Sequence, residues 1–118
     1  MKAFVLAISS ILVLILLVII NGIYVSNVTE KLDSLASELK IDDSSDLEEL
    51  EKYWKKHESI ICLSILHKDV DNLNIAIDVL KGKQENGEAS GFYEYKAMLL
   101  NYIEEIKNKD RVHFHNIF

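Results

Sequence analysis

Proline is absent from this chain, glycine occurs only at positions 22, 82, 87 and 91, and Cys62 is the single cysteine. Each scarcity excludes something. Without proline and with so few glycines, the residues that punctuate sheets and tight turns are missing, so long helices are the economical reading of the 118 residues. A lone cysteine cannot close an intramolecular disulfide, and no oxidative stapling underlies the fold. It lies in Ile60-Ile61-Cys62-Leu63, where a thiol is expected to be buried and inert. Charge is missing locally as well: from Ala3 to Ile20 the only polar side chains are the hydroxyls of Ser9 and Ser10.

That uncharged run is the most specific signal in the chain. Fourteen of its eighteen residues are Leu, Ile, Val or Phe, and their summed insertion energy is roughly −4 to −8 kcal/mol on a membrane-insertion scale. Eighteen helical residues rise about 27 Å, and continuing through Val25 reaches about 34 Å, enough for a tilted crossing. The two serines do not reverse this, because a helical hydroxyl bonds back to the carbonyl one turn earlier. A signal peptide would have a shorter apolar core, a more basic start and an A-x-A-like exit; Asn21-Gly22 is the one small-residue exit here. A buried helix of a soluble protein would seldom lack any charged face. Residues 1–25 are therefore expected to be a membrane anchor. Lys2 precedes the span, while Glu30 offsets Lys31 after it, which favours a cytoplasmic N-terminus with residues 26–118 as an extracytoplasmic domain.

All nineteen acidic residues follow the run, against twelve basic ones, leaving the remainder near −7. Nucleic acid and anionic headgroups would both repel such a domain. Asn27-Val28-Thr29 has the form of a glycosylation acceptor, a pattern common by chance and at the edge of the span.

Beyond the run, apolar residues recur in steps of three and four. Val25, Val28, Leu32, Leu35 and Leu39 predict that the first helix continues to about Lys40. Asp42 to Ser45 break the pattern, and Ser45-Asp46-Leu47-Glu48 has the form of a capping box opening a second helix. Its stripe is Leu47, Leu50, Trp54, His57 and Ile61, and it is expected to end near Leu66 or His67. A third helix, opened by Asp69 after almost no connection, carries Val70, Leu73, Ile77 and Leu80. Gly82–Gly91 reads as a loop. Phe92, Tyr95, Leu99, Tyr102 and Ile106 mark a fourth helix ending near Lys107 to Asp110, and Arg111–Phe118 reads as an extended tail packed back through Val112, Phe114, Ile117 and Phe118. The class is all-α: an N-terminal transmembrane helix continuing into a small four-helix bundle or paired helical hairpins.

Chemistry-bearing motifs are scarce. His113 and His115 would share a side of an extended tail, but no Cys or His pair elsewhere has metal spacing. His57 and His67 lie beside apolar stripes, where a hydrogen-bonded structural histidine is the commoner outcome. Asp42, Asp43 and Asp46 lack the alternation and central glycine of a calcium loop, so capping is preferred. No G-x-S-x-G, phosphate-binding glycine loop or activated cysteine is present. The chain is expected not to be an enzyme and to need no metal or cofactor.

The anchor, Trp54 in the second helix, His67 followed by Asp69 at the start of the third, and the closing Asn116-Ile117-Phe118 resemble a bacterial family known only as a domain of unknown function. The resemblance covers nearly the whole chain. It implies small single-anchor helical proteins ending in NIF, Gram-positive and often spore-forming hosts, a neighbouring multi-span membrane protein, and no assigned activity. The expected function is a membrane-anchored interaction module docking on a membrane or envelope protein. An extracytoplasmic sensor with a pocket among Trp54, His57, Tyr95 and Tyr102 is the alternative. Candidate partner or ligand contacts are Trp54, His57, His67, Tyr95, Tyr102, Asn116, Ile117 and Phe118, with Trp54 itself expected in the core.

Overall fold

The computed structural model describes the backbone of residues 1–117 and the side chains of residues 1–109. It contains four helices, α1 (Lys2–Ser37), α2 (Ser44–Ile61), α3 (His67–Glu85) and α4 (Ala89–Ile117). α1 packs on α2 and α4, and α3 closes the ring between α4 and α2, leaving α1 and α3, like α2 and α4, on opposite diagonals. With connections at 38–43, 62–66 and 86–88, this is an up-down-up-down four-helix bundle, not a stack of separate hairpins. The molecule measures 69 × 23 × 21 Å because the first half of α1 projects beyond the bundle.

α1 is continuous for 36 residues, about 54 Å. Its two halves differ in environment. Residues 1–17 are exposed throughout, whereas Val25, Val28, Leu32, Leu35 and Ala36 are buried, the three-four stripe expected from the sequence with Ala36 added. A domain boundary drawn after Val25 thus falls inside one helix. Thr29 is buried on this stripe, and its hydroxyl donates to the carbonyls of Val25 and Ser26, so it introduces no unpaired polar group into the core.

The core is the meeting of four such stripes: Leu47, Leu50, Trp54 and Ile61 of α2, Val70, Leu73, Ile77 and Leu80 of α3, and Phe92, Leu99, Ile103 and Ile106 of α4 are all buried. Burial of each such aliphatic or aromatic side chain contributes roughly 1.5–3 kcal/mol before the entropy of ordering is set against it. Tyr95 and Tyr102 lie at its edge, half-buried.

Several boundaries differ from the sequence reading, each for a local reason. α2 begins at Ser44, one residue before the expected cap, because Asp43 is the N-cap: its carboxylate accepts from the Ser45 amide at 3.0 Å and from the Ser45 hydroxyl. Of the two capping options, the aspartate takes the amide, and the helix dipole favours its charge. α2 stops at Ile61, not Leu66 or His67, in a turn of successive short-range hydrogen bonds from the amides of Leu63 and Ser64 to the carbonyls of Ile60 and Ile61. α3 accordingly starts at His67, two residues before Asp69. The expected Gly82–Gly91 loop shrinks to Asn86-Gly87-Glu88. α3 runs through Gly82, and the reversal is made by Gly87 at φ +67°. Of the tail read as extended, Arg111–Ile117 is helical, because α4 continues to Ile117. With no proline and no glycine after Gly91, nothing stops the helix, and continuing it satisfies each backbone amide internally. The expected packing of Val112, Phe114, Ile117 and Phe118 lies outside the described side chains.

Candidate functional site

The sequence-predicted contacts separate into different places. Trp54 is buried, and its indole Nε1 donates to Asn74 Oδ1 at 2.7 Å while Asn74 Nδ2 donates to Glu58 Oε1 at 3.0 Å. It is a core residue with a polar handle that ties α2 to α3. His57 turns instead toward α1. Its Nδ1 shares a 2.9 Å hydrogen bond with the Tyr24 hydroxyl, and its ring lies 4.5 Å from that of Tyr53. Burial, with a smaller contribution from Lys56, holds its pKa below the ordinary histidine value. A hydrogen-bonded structural histidine at a helix interface is what this geometry makes.

His67 is exposed as the first residue of α3. Tyr95 and Tyr102 are carried by α4, diagonally across the bundle from α2, which carries Trp54 and His57. Asn116, Ile117 and Phe118 lie outside the described side chains. Loss of the extended tail also removes the geometry that paired His113 with His115. Among the described residues, no three His, Cys, Asp or Glu side chains converge as a metal ion would require. Cys62 is partly exposed, not buried, and its thiol donates to the Ser59 carbonyl at 3.1 Å.

Two surface features stand out, one at each end of the α2–α3 seam. Toward the end carrying Gly87, a shallow groove is lined by Leu47, Glu48, Glu51, Lys55, Lys81 and Gln84. Glu51 lies 3.0 Å from both Lys55 and Lys81, and these bonds hold its carboxyl below the usual range. The groove is a satisfied zwitterionic strip, worth little as a binding determinant.

The opposite end is apolar. There the α2–α3 turn leaves Ile60, Leu63 and Leu66 exposed by 56, 85 and 59 %. The Ser64 hydroxyl donates to Asn21 Oδ1, which joins this turn to α1 one residue after the uncharged run ends. Asp69 is buried beside it and paired with Lys109 at 3.1 Å. This cluster was missed by sequence reading because 59–66 was assigned to a helix. The uncharged stretch Ser59–Leu66 was the signal available.

No curated protein and no solved structure matches the chain. A family match covers residues 20–117, beginning where the uncharged run ends and including every helix of the bundle. With most of its length matched, the chain belongs to the family described as a domain of unknown function, DUF4363.

Proposed function

We propose that the chain is a single-pass membrane protein whose helical bundle stands outside the bilayer and docks on a membrane or envelope protein, without catalysis of its own. The observation that carries this reading is α1 itself. Its apolar window is wholly unburied, yet it continues without a break into the buried stripe of the bundle. Sixteen apolar side chains left in water would be a severe aggregation hazard, and a bilayer is the solvent that removes it. An uninterrupted helix also favours an anchor over a removable leader, since Asn21-Gly22 is helical and Asn21 is bonded to Ser64.

Docking is supported by what the surface retains. Among the described residues outside α1 and the α2–α3 turn, Ile75 on α3 and Tyr93 on α4 are the large apolar side chains left exposed, by 59 and 45 %. The acidic balance turns the bundle away from nucleic acid and toward protein. A photo-crosslinking residue in place of Ile75 or Tyr93, activated in native membranes, should give one discrete adduct with a membrane protein. Absence of any protein adduct from either site, together with a rise in melting temperature on adding a small molecule, would favour the sensor alternative instead.

A further inference from the structure

We propose that the α2–α3 turn is a second membrane contact, inserting Ile60, Leu63 and Leu66 into the interfacial layer of the same bilayer that α1 crosses. The inference rests on the anchor reading above and adds a site to it. Four observations carry it. The turn is held at a fixed height: Ser64 bonds to Asn21, the residue that follows the apolar run Ala3–Ile20, so the turn lies level with the outer part of the expected anchor, residues 1–25. Its large exposed side chains, Ile60, Leu63 and Leu66, are apolar, and on α1 the residues flanking Asn21 include Ile20 and Ile23, exposed by 53 and 56 %.

The turn is also chemically suited to leaving water. Ser59 to Leu66 contains no charged residue, so the turn segment itself takes no ionised group out of water. The amides of Cys62, Leu63, Ser64 and Ile65 are bonded to the carbonyls of Glu58, Ile60 and Ile61, so these four donors enter the headgroup layer already paired. The nearest buried acid, Asp69, is neutralised by Lys109. Scattered exposed apolar residues are ordinary on any protein, but three on one uncharged turn, fixed beside the end of an apolar helix, form a patch in register with the bilayer surface.

The consequence is orientation. One helix alone leaves a bundle free to tilt and rotate about it, whereas a second contact beside it fixes which face is turned outward.

The test uses the full chain in vesicles of phosphatidylcholine and phosphatidylglycerol. An environment-sensitive fluorophore is attached at Leu63→Cys, Leu12→Cys or Glu88→Cys, each in a Cys62→Ser background, in which serine keeps a donor for the Ser59 carbonyl. Lipids spin-labelled near the headgroup or deep in the chain serve as quenchers. The label at 12 should be quenched by deep lipids, the label at 63 by headgroup-level lipids with a blue-shifted emission, and the label at 88 by neither. If the label at 12 is quenched while that at 63 behaves like that at 88, the turn is not a membrane contact, although the anchor stands. If the label at 12 is not quenched, the anchor reading fails and this inference fails with it. A label at 63 that becomes shielded only when a membrane protein partner is co-reconstituted assigns the turn to protein docking and overturns the proposal.

Discussion

The two ends of the bundle are built on opposite principles. At the end bearing the α1–α2 and α3–α4 connections, loose carbonyls are collected by side chains from the other helices. Lys96 donates to the Leu39 carbonyl at 3.1 Å, Gln84 reaches those of Lys40 and Ile41, Asp43 caps α2, and Lys83 pairs with Glu88. At the other end the amides of Leu63, Ser64 and Ile65 bond back to Ile60 and Ile61, and the turn leaves apolar side chains exposed near Asn21. One end is closed by polar contacts, and the other leaves large apolar side chains exposed. The lesson is that a bundle with helices of one kind can encode direction in its connections alone, because the helix stripes are spoken for by the core.

Substitutions can break or sharpen this contrast. The largest effect should come from the shared middle: Trp54→Ala empties a fully buried site and leaves Asn74 without the indole donor, whereas Glu58 accepts from the Asn74 amide and not from the indole. The variant should destabilise the fold by about 3 to 5 kcal/mol in denaturant titration. Unchanged unfolding would remove Trp54 from the core. Next, at the apolar end, Lys109→Met strands the buried Asp69 carboxylate at the start of α3 and should cost about 1 to 3 kcal/mol, with Asp69→Asn restoring part of the loss in the double variant. At the polar end, Gly87→Ala meets no neighbouring atom and differs only in its left-handed backbone, so it should cost about 1 to 2 kcal/mol. A neutral result would mean that the α3–α4 reversal tolerates another geometry.

The smallest effect concerns pH. His57 has a folded pKa below its ordinary value, so the folded state resists the proton that the unfolded chain accepts. Its contribution is complete above the ordinary histidine range and is lost as the pH falls through it toward the folded value. Between about pH 7 and about pH 5 the wild-type stability should therefore decline more than that of His57→Gln. Parallel slopes would show that the Tyr24–His57 bond is indifferent to protonation.

Much of the fold was legible because it is carried by periodicity. Every position of the four predicted stripes is buried or half-buried, from Val25 in α1 to Ile106 in α4. What was not legible is where helices stop. Gly82 suggested a loop, yet a single glycine costs a helix only about 1 kcal/mol, which the buried Leu80 beside it outweighs. The tail was read as extended from its alternating apolar residues, but α4 continues through Ile117 with no proline or glycine in the tail to break it. The apolar turn was hidden by the same weakness in reverse. Ser59–Leu66 contains no glycine, proline, asparagine or aspartate to signal a turn, and Ile61 and Ile65 within it pack on the core. Of the candidate contacts, Trp54 and His57 were recognisable from their stripe as packing residues. No pattern in the chain distinguishes an outward tyrosine from one at the edge of the core.

The central claim is that α1 holds the bundle outside a bilayer. Protease added to intact, wall-stripped cells tests it most directly, with an antibody tag at each end of the chain to follow the fragments. The account predicts loss of the C-terminal tag and survival of a membrane-embedded N-terminal fragment containing Ala3–Ile20. Full protection of the bundle while a known surface protein is digested, or recovery of an intact bundle lacking residues 1–22 from the medium, would contradict it.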